Sequence, residues 1–170
     1  MLKRQFGSTG VDVPVIGQGT WQMKSSGVEA MNLGIDLGMT HIDTAEMYTG
    51  AEEVVADVIR GRRKDVFLVS KVMPSNASYK NTVRACDASL KRLKTDYLDV
   101  YLVHWWSGTH PIEDTMDAFI ALPGRTTNIW GFLPAWTLNR KSSLKRMLPN
   151  YFGVNCCRNG GSRRSSRSAE

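Results

Sequence analysis

Between residues 15 and 122 the apolar positions follow two alternating rhythms. Short, nearly continuous apolar runs lie at Val15-Ile16-Gly17-Gln18-Gly19-Thr20-Trp21, Thr40 to Thr44, Val66 to Lys71 and Leu98 to His104. Each is followed by a stretch whose apolar residues recur near the helical period. Val28 to Leu37 carries Val28, Met31 and Ile35 with neighbouring Leu33 and Leu37, and Gly38 is a suitable stop. Ala51 to Ile59 opens with Glu52 and Glu53, which suit a positive helix N-terminus. Ser78-Tyr79-Lys80-Asn81 leads a helix to about Leu93, with Val83, Leu90 and Leu93 inward. Ile112-Glu113-Asp114 opens a fourth, through Met116 and Phe119 to about Leu122. Ahead of all this, residues 2–15 predict a hairpin: Leu2 to Phe6, a turn at Gly7-Ser8-Thr9-Gly10, then Val11-Asp12-Val13. The strands are too apolar to keep one face wet. Parallel strands covered by helices are the expected outcome, and the first strand from Val15 is expected to be buried with them.

Past Leu122 neither rhythm persists. Pro123-Gly124-Arg125-Thr126-Thr127 gives way to Trp130, Trp136, a Lys/Arg-rich run and a closing Ser-Arg-Arg-Ser-Ser-Arg-Ser. The net charge of +6 is divided unevenly across this boundary. Residues 1–121 hold 13 Lys+Arg against 15 Asp+Glu, while residues 122–170 hold 9 Lys+Arg against Glu170 alone. A basic tail is able to attract nucleic acid or anionic lipid, but another explanation for this one is stronger and is given below.

The 170-residue length allows one ordinary domain with a sizeable core. No apolar run reaches the roughly 18 residues of a membrane span, and Met1 to Phe6 lacks the apolar core of a signal peptide. Cys86, Cys156 and Cys157 fit neither a disulfide framework nor a zinc site, so a reducing cytoplasm and no bound metal are expected.

The candidate chemistry lies at the strand ends. His41-Ile42-Asp43-Thr44-Ala45-Glu46-Met47-Tyr48 carries a carboxylate and a phenol, the third run ends in Lys71 and the fourth in His104. Taken singly, each has an ordinary use. Asp43 suits capping a loop, Lys71 a solvated charge, His104 packing beside Trp105 and Trp106, and Tyr48 a loop aromatic. Together, at the C-terminal ends of successive parallel strands, they occupy the rim where barrel enzymes keep their reacting groups. A tyrosine of pKa about 10 is a poor acid at neutral pH. An adjacent lysine ammonium is expected to lower that pKa, with a carboxylate holding the lysine and a histidine fixing a carbonyl oxygen. The set suits carbonyl reduction with Tyr48 as proton donor, and a nicotinamide cofactor must bring the hydride.

These residues carry a resemblance. Gly17-Gln18-Gly19-Thr20-Trp21, the His41 to Tyr48 segment, Leu68-Val69-Ser70-Lys71 and Asp96 to His104 resemble the aldo-keto reductase family. The likeness covers about residues 3–121 and is nearest to bacterial members acting on small aldehydes and diketones. It implies the first half of a (β/α)8 barrel, about four βα units after a bottom-plugging hairpin. The family's tetrad falls on Asp43, Tyr48, Lys71 and His104. The resemblance further implies Thr20, Trp21 and Asp43 near the nicotinamide of NADPH (or NADH), and Trp21 and Trp105 against the substrate. Rim packing is the competing role for both indoles.

Two features depart from the family. A complete member needs about twice this length, and Gly124 to Phe132 stands where a Glu-Gly-Lys…Gly-Val-Ser strand belongs. We hypothesise a reading-frame shift near Leu122. Read one base later with permitted codons, Pro123 to Phe132 gives Arg-Glu-Gly-Gln-Gln-Thr-Phe-Gly-Val-Ser. The nucleotide sequence decides it: an early stop in that frame ends the idea. The expected organisation is therefore a half-barrel over residues 2–122 and a basic, disordered tail over 123–170. Such a half-barrel leaves open sheet edges prone to self-association, and an inactive or nearly inactive enzyme. The expected partner is a small carbonyl compound, with no membrane and no nucleic acid. The alternative is a non-enzymatic fragment whose tail binds nucleic acid or acidic surfaces.

Overall fold

The computed structural model describes residues 1–7, 9–122 and 124–132. The expectations for residues 133–170, including the Ser/Arg ending, Cys156 and Cys157, lie outside these residues, while the start of the expected disordered tail is corrected below: residues 126–132 form a strand. A two-stranded antiparallel hairpin, β1 (Lys3–Gln5) and β2 (Asp12–Pro14), comes first. Then follow β3 (Gly17–Gly19), α1 (Val28–Asp36), β4 (His41–Asp43), α2 (Ala51–Val58), β5 (Phe67–Val72), α3 (Tyr79–Leu93), β6 (Leu98–Val103), α4 (Ile112–Ile120) and β7 (Thr126–Phe132). The strands β3 to β7 form one parallel sheet in chain order. This is a partial barrel of repeated βα units, as the alternation of rhythms predicts.

The strand alternation separates two cores. Ile42, Leu68, Val72, Leu98, Tyr101 and Val103 face the helices, where they meet Met31, Ile35, Val55, Leu90, Leu93 and Phe119. Phe67, Val69, Val100 and Leu102 face the other way and pack with Val13 and Phe6 of the hairpin, which plugs the N-terminal ends of the strands. All six residues of β5 are buried, as a strand covered on both sides requires. The helix α3 buries Thr82, Ala85, Cys86, Ser89, Leu90 and Leu93, a stripe at the helical period.

Three details differ from the sequence expectation. The first strand is a short edge, and Val15 and Ile16 before it are about half exposed (47% and 52%). An edge strand has one neighbour instead of two, so apolar character alone does not bury it. On α1, Leu33 and Leu37 are exposed, while Met31, Gly34 and Ile35 form the packed stripe. Gly34 makes room for Gln18: a Cβ would fall 2.4 Å from Gln18 Oε1 and displace the side-chain amide, whose Nε2 donates to the carbonyls of Met31 and Met39. Finally, the sheet runs one strand past the four predicted units. The β7 backbone pairs with β6 from Thr126 onward, entered through Gly124 at φ +81°. Its Thr, Ile, Trp and Phe content suits a strand although its period is broken.

Candidate active site

The inward positions of the strands are His41 and Asp43, then Phe67, Val69 and Lys71, then Val100 and Leu102. Continuing that alternation by one step beyond β6 reaches His104, whose backbone N–H still donates to Val72 O at 3.0 Å. Asp43, Lys71 and His104 are therefore the last inward residues of three neighbouring strands. Tyr48 joins them from the loop between β4 and α2.

The structure brings all four together. Lys71 is 2% exposed, and its ammonium donates to Asp43 Oδ1 and, at 2.8 Å, to Thr44 O. A buried ammonium needs such partners, because its desolvation would otherwise cost several kcal/mol. The Lys71 Nζ lies 5.5 Å from the Tyr48 ring centroid. The Tyr48 hydroxyl is 3.2 Å from His104 Nε2, with the rings edge to face at 5.3 Å. His104 Nδ1 is buried and has no hydrogen-bond partner among the described residues, as does Thr44 Oγ1.

The electrostatics correct one expectation. Burial, and then the charge of Asp43, hold the Tyr48 phenol above its ordinary value of 10.0, where the sequence predicts a lysine-lowered value. Burial disfavours the phenolate, and the nearby Asp43 carboxylate pushes in the same direction. Burial lowers His104 from 6.5, Lys71 lowers it further, and Asp43 opposes both. At neutral pH the phenol is protonated and the imidazole neutral.

Beside this cluster lies a cleft of about 560 Å³ lined by Trp21, Gln22, Met23, Lys24, Met47, Tyr48 and Thr49. The Trp21 indole is 73% exposed. A Cβ built on Gly19 would meet nothing within 4 Å among the described residues, so the backbone there is open to close approach. Trp105 packs on the His104 ring, with centroids 4.9 Å apart. Thr20 is different from the other predicted contacts. It is fully buried and its hydroxyl donates to Asp43 O at 3.0 Å, so it holds the Asp43 backbone and offers no side-chain surface to the cleft. Sequence reasoning missed the rest of the cleft wall and the role of the Thr44 carbonyl. Gln22, at φ +60°, marks a tight turn that carries no residue-type signal.

With this geometry in hand, the class of protein is defined: the chain belongs to the aldo/keto reductase family, whose model matches residues 15–122. Among its relatives, methylglyoxal reductase YeaE of Escherichia coli K12 is 52% identical over 116 residues, covering 64% of this chain and 40% of that protein. The NADP(+) glycerol 2-dehydrogenase of Saccharomyces cerevisiae is 32% identical, covering 77% of this chain and 45% of that one. The crystal structure of a Klebsiella pneumoniae aldo/keto reductase in complex with NADP and acetate superposes with a TM-score of 0.70 at 47% identity. That match covers 74% of this chain and 47% of the other. The chain spans about half the length of the relatives it matches. No helix among the described residues is long and apolar enough to cross a membrane.

Proposed function

We propose that this chain carries the proton-transfer half of an NADPH-dependent carbonyl reductase site acting on small aldehydes and ketones of the methylglyoxal kind. The observation that carries this reading is the Tyr48 hydroxyl held against His104 beside the Lys71–Asp43 pair. A reduced nicotinamide, when bound, supplies the hydride to the carbonyl carbon. The rim fits the nicotinamide end of such a group: an open backbone at Gly19 and an exposed Trp21 indole lead down to Tyr48.

The roles follow from the charges. A protonated phenol at neutral pH is the right starting state for a general acid, and Tyr48 gives its proton to the carbonyl oxygen as negative charge develops there. Lys71, fixed by Asp43 and Thr44 O, then stabilises the phenolate left behind. A neutral His104 that donates from Nε2 frees the Tyr48 proton to point at substrate. Trp105 on the imidazole walls the substrate side, while Asp43 and Trp21 serve the nicotinamide side. Thr20 acts indirectly, through the Asp43 backbone.

Positioning one carbonyl needs a closed pocket, and among the described residues β3 is an edge that pairs with β4 alone and lies in a region with exposed Leu2, Val15, Ile16, Leu33 and Leu37. The 170-residue polypeptide by itself is therefore inactive or nearly so, and self-associates through this edge. The frame change near Leu122 belongs to the same reading. A hybrid in which residues 1–121 replace the matched part of the Escherichia coli reductase tests the chemistry. It should oxidise NADPH with methylglyoxal, and Tyr48→Phe should cost it about 10²–10⁴-fold in kcat. A folded hybrid that binds NADPH and is inactive, or indifferent to Tyr48→Phe, would reject the proposal.

A further inference from the structure

Tyr48 sits in the loop after β4, and its hydroxyl reaches His104 just past the end of β6, two strands across the sheet. Whatever fixes that loop decides whether the phenol meets the imidazole. Glu46, two residues earlier, is not in the cleft wall and has no part in the proton transfer described above. Its backbone N–H donates to Lys71 O at 3.2 Å, and Thr44 N–H donates to Val69 O at 2.9 Å, so the β4–β5 ladder continues past Asp43. Its carboxylate then crosses to the next loop. Oε1 accepts the Met73 backbone N–H, and Asn76 Nδ2 lies 3.2 and 3.3 Å from the two oxygens. Met73 precedes and Asn76 closes the short 3-10 turn Pro74–Asn76 that follows β5, and the Asn76 carbonyl accepts the Thr82 hydroxyl in the first turn of α3. One charged side chain thus joins the segment carrying Tyr48, the turn after Lys71 and the base of the next helix.

We propose that Glu46 is a positioning residue: its carboxylate, clamped on Met73 N–H and Asn76, holds the Tyr48 loop so that the phenol lies against His104 and Lys71. The proposal rests on the tetrad reading, because it assigns Glu46 a purpose only if Tyr48 must be placed. Hydrogen bonds to an ionised acceptor are stronger than neutral ones and are suited to fixing a loop.

The full 170-residue chain tests this without turnover, since His41, His104 and His110 are its three histidines and their ring ¹⁵N signals can be told apart. In Glu46→Ala, exchange of the Met73 amide should quicken about tenfold or more, the loss expected for one charge-assisted bond. The His104 titration should rise toward 6.5 as its contact with Tyr48 opens to water. Glu46→Gln should show clearly smaller changes than Glu46→Ala, because its carbonyl can still accept the Met73 N–H although the charge is gone. Should Glu46→Ala fail to fold, Glu46→Asp, which keeps the charge but falls one methylene short, should show the same two changes. A merely structural role would lower overall stability and leave His104 in place. An unmoved His104 in a folded Glu46→Ala or Glu46→Asp chain, or a Glu46→Gln chain as altered as the alanine one, would overturn the proposal. If the hybrid is active and His104 does not respond, Glu46 alone is rejected. If His104 responds and the hybrid is inactive, the clamp stands and the chemistry falls.

Discussion

The two ends of the parallel sheet make opposite use of charge. At the N-terminal end, Arg63 spends every nitrogen. Nε donates to Thr95 Oγ1, Nη1 to Val66 O, and Nη2 to Tyr97 O and Asp99 Oδ2, while the guanidinium lies 3.8 Å over the Tyr97 ring. Asp99 also receives the Leu68 backbone N–H at 2.8 Å. At the C-terminal end, His104 Nδ1 and Thr44 Oγ1 are buried without partners among the described residues, and Tyr48 and His104 have shifted acidities. A fully satisfied network stabilises; a partly satisfied one holds groups ready to engage something else. The Arg63 network thus serves stability at one end, the floor, although Thr126 Oγ1 is also unpartnered there among the described residues, and the proposed chemistry sits at the other, the rim.

Exchanging substitutions between the ends breaks or confirms this contrast. The largest effect is expected at the rim: Tyr48→Phe should remove nearly all activity of the hybrid reductase while changing urea stability by no more than about 0.5 kcal/mol. Arg63→Ala should do the reverse. The Arg63–Asp99 pair is mostly buried, with side chains 14% and 17% exposed, and losing one partner should cost about 3 kcal/mol of unfolding free energy. A floor variant that kept its stability, or a rim variant that lost it, would erase the distinction.

A smaller effect is expected from pH. His41 and His104 are both held below 6.5 by burial, so the unfolded chain binds protons more readily than the folded one. Their contribution to stability is full above 6.5 and is lost as pH falls through the depressed folded values. On the alkaline side, burial pushes the Cys86 thiol from 9.0 up to about 12 and raises Tyr48 and Tyr101 above 10.0. Those contributions are full below the unfolded values and are lost as pH rises toward the folded ones. The thermal midpoint should be flat between about pH 7 and 9 and fall on both sides. His104→Gln should soften the acid limb only.

Much of the site was legible in the residues. Asp43, Lys71 and His104 stand at or just beyond the ends of apolar runs and Tyr48 in the loop that follows, which is the signal that singled them out, and the strand alternation is why three of them face the same way. What was not legible depended on neighbours the pattern does not name. The exposure of Val15, Ile16, Leu33 and Leu37 follows from which strand is an edge, which apolar periodicity cannot tell. The Tyr48 phenol is held above its ordinary value, opposite to expectation, because burial, which a residue pattern does not report, comes first and the Asp43 charge adds to it. Glu52, placed by sequence as a helix-start acid, is 1% exposed and accepts from Ser70 Oγ and Arg92 Nε at 2.6 Å each. Its partners lie 18 and 40 residues away, beyond any local motif. The β7 strand was missed because its composition suits a strand while its period does not.

The contact between the phenol and the imidazole is the joint on which the proposed chemistry turns. The ring ¹⁵N spectrum of His104 reports on it directly, compared between the native 170-residue chain and Tyr48→Phe. Removing the hydroxyl should shift Nε2 by the loss of one hydrogen bond and leave His41 and His110 where they were. A His104 signal that ignores the substitution would mean that the two groups do not meet, and the rim would have no proton donor in place.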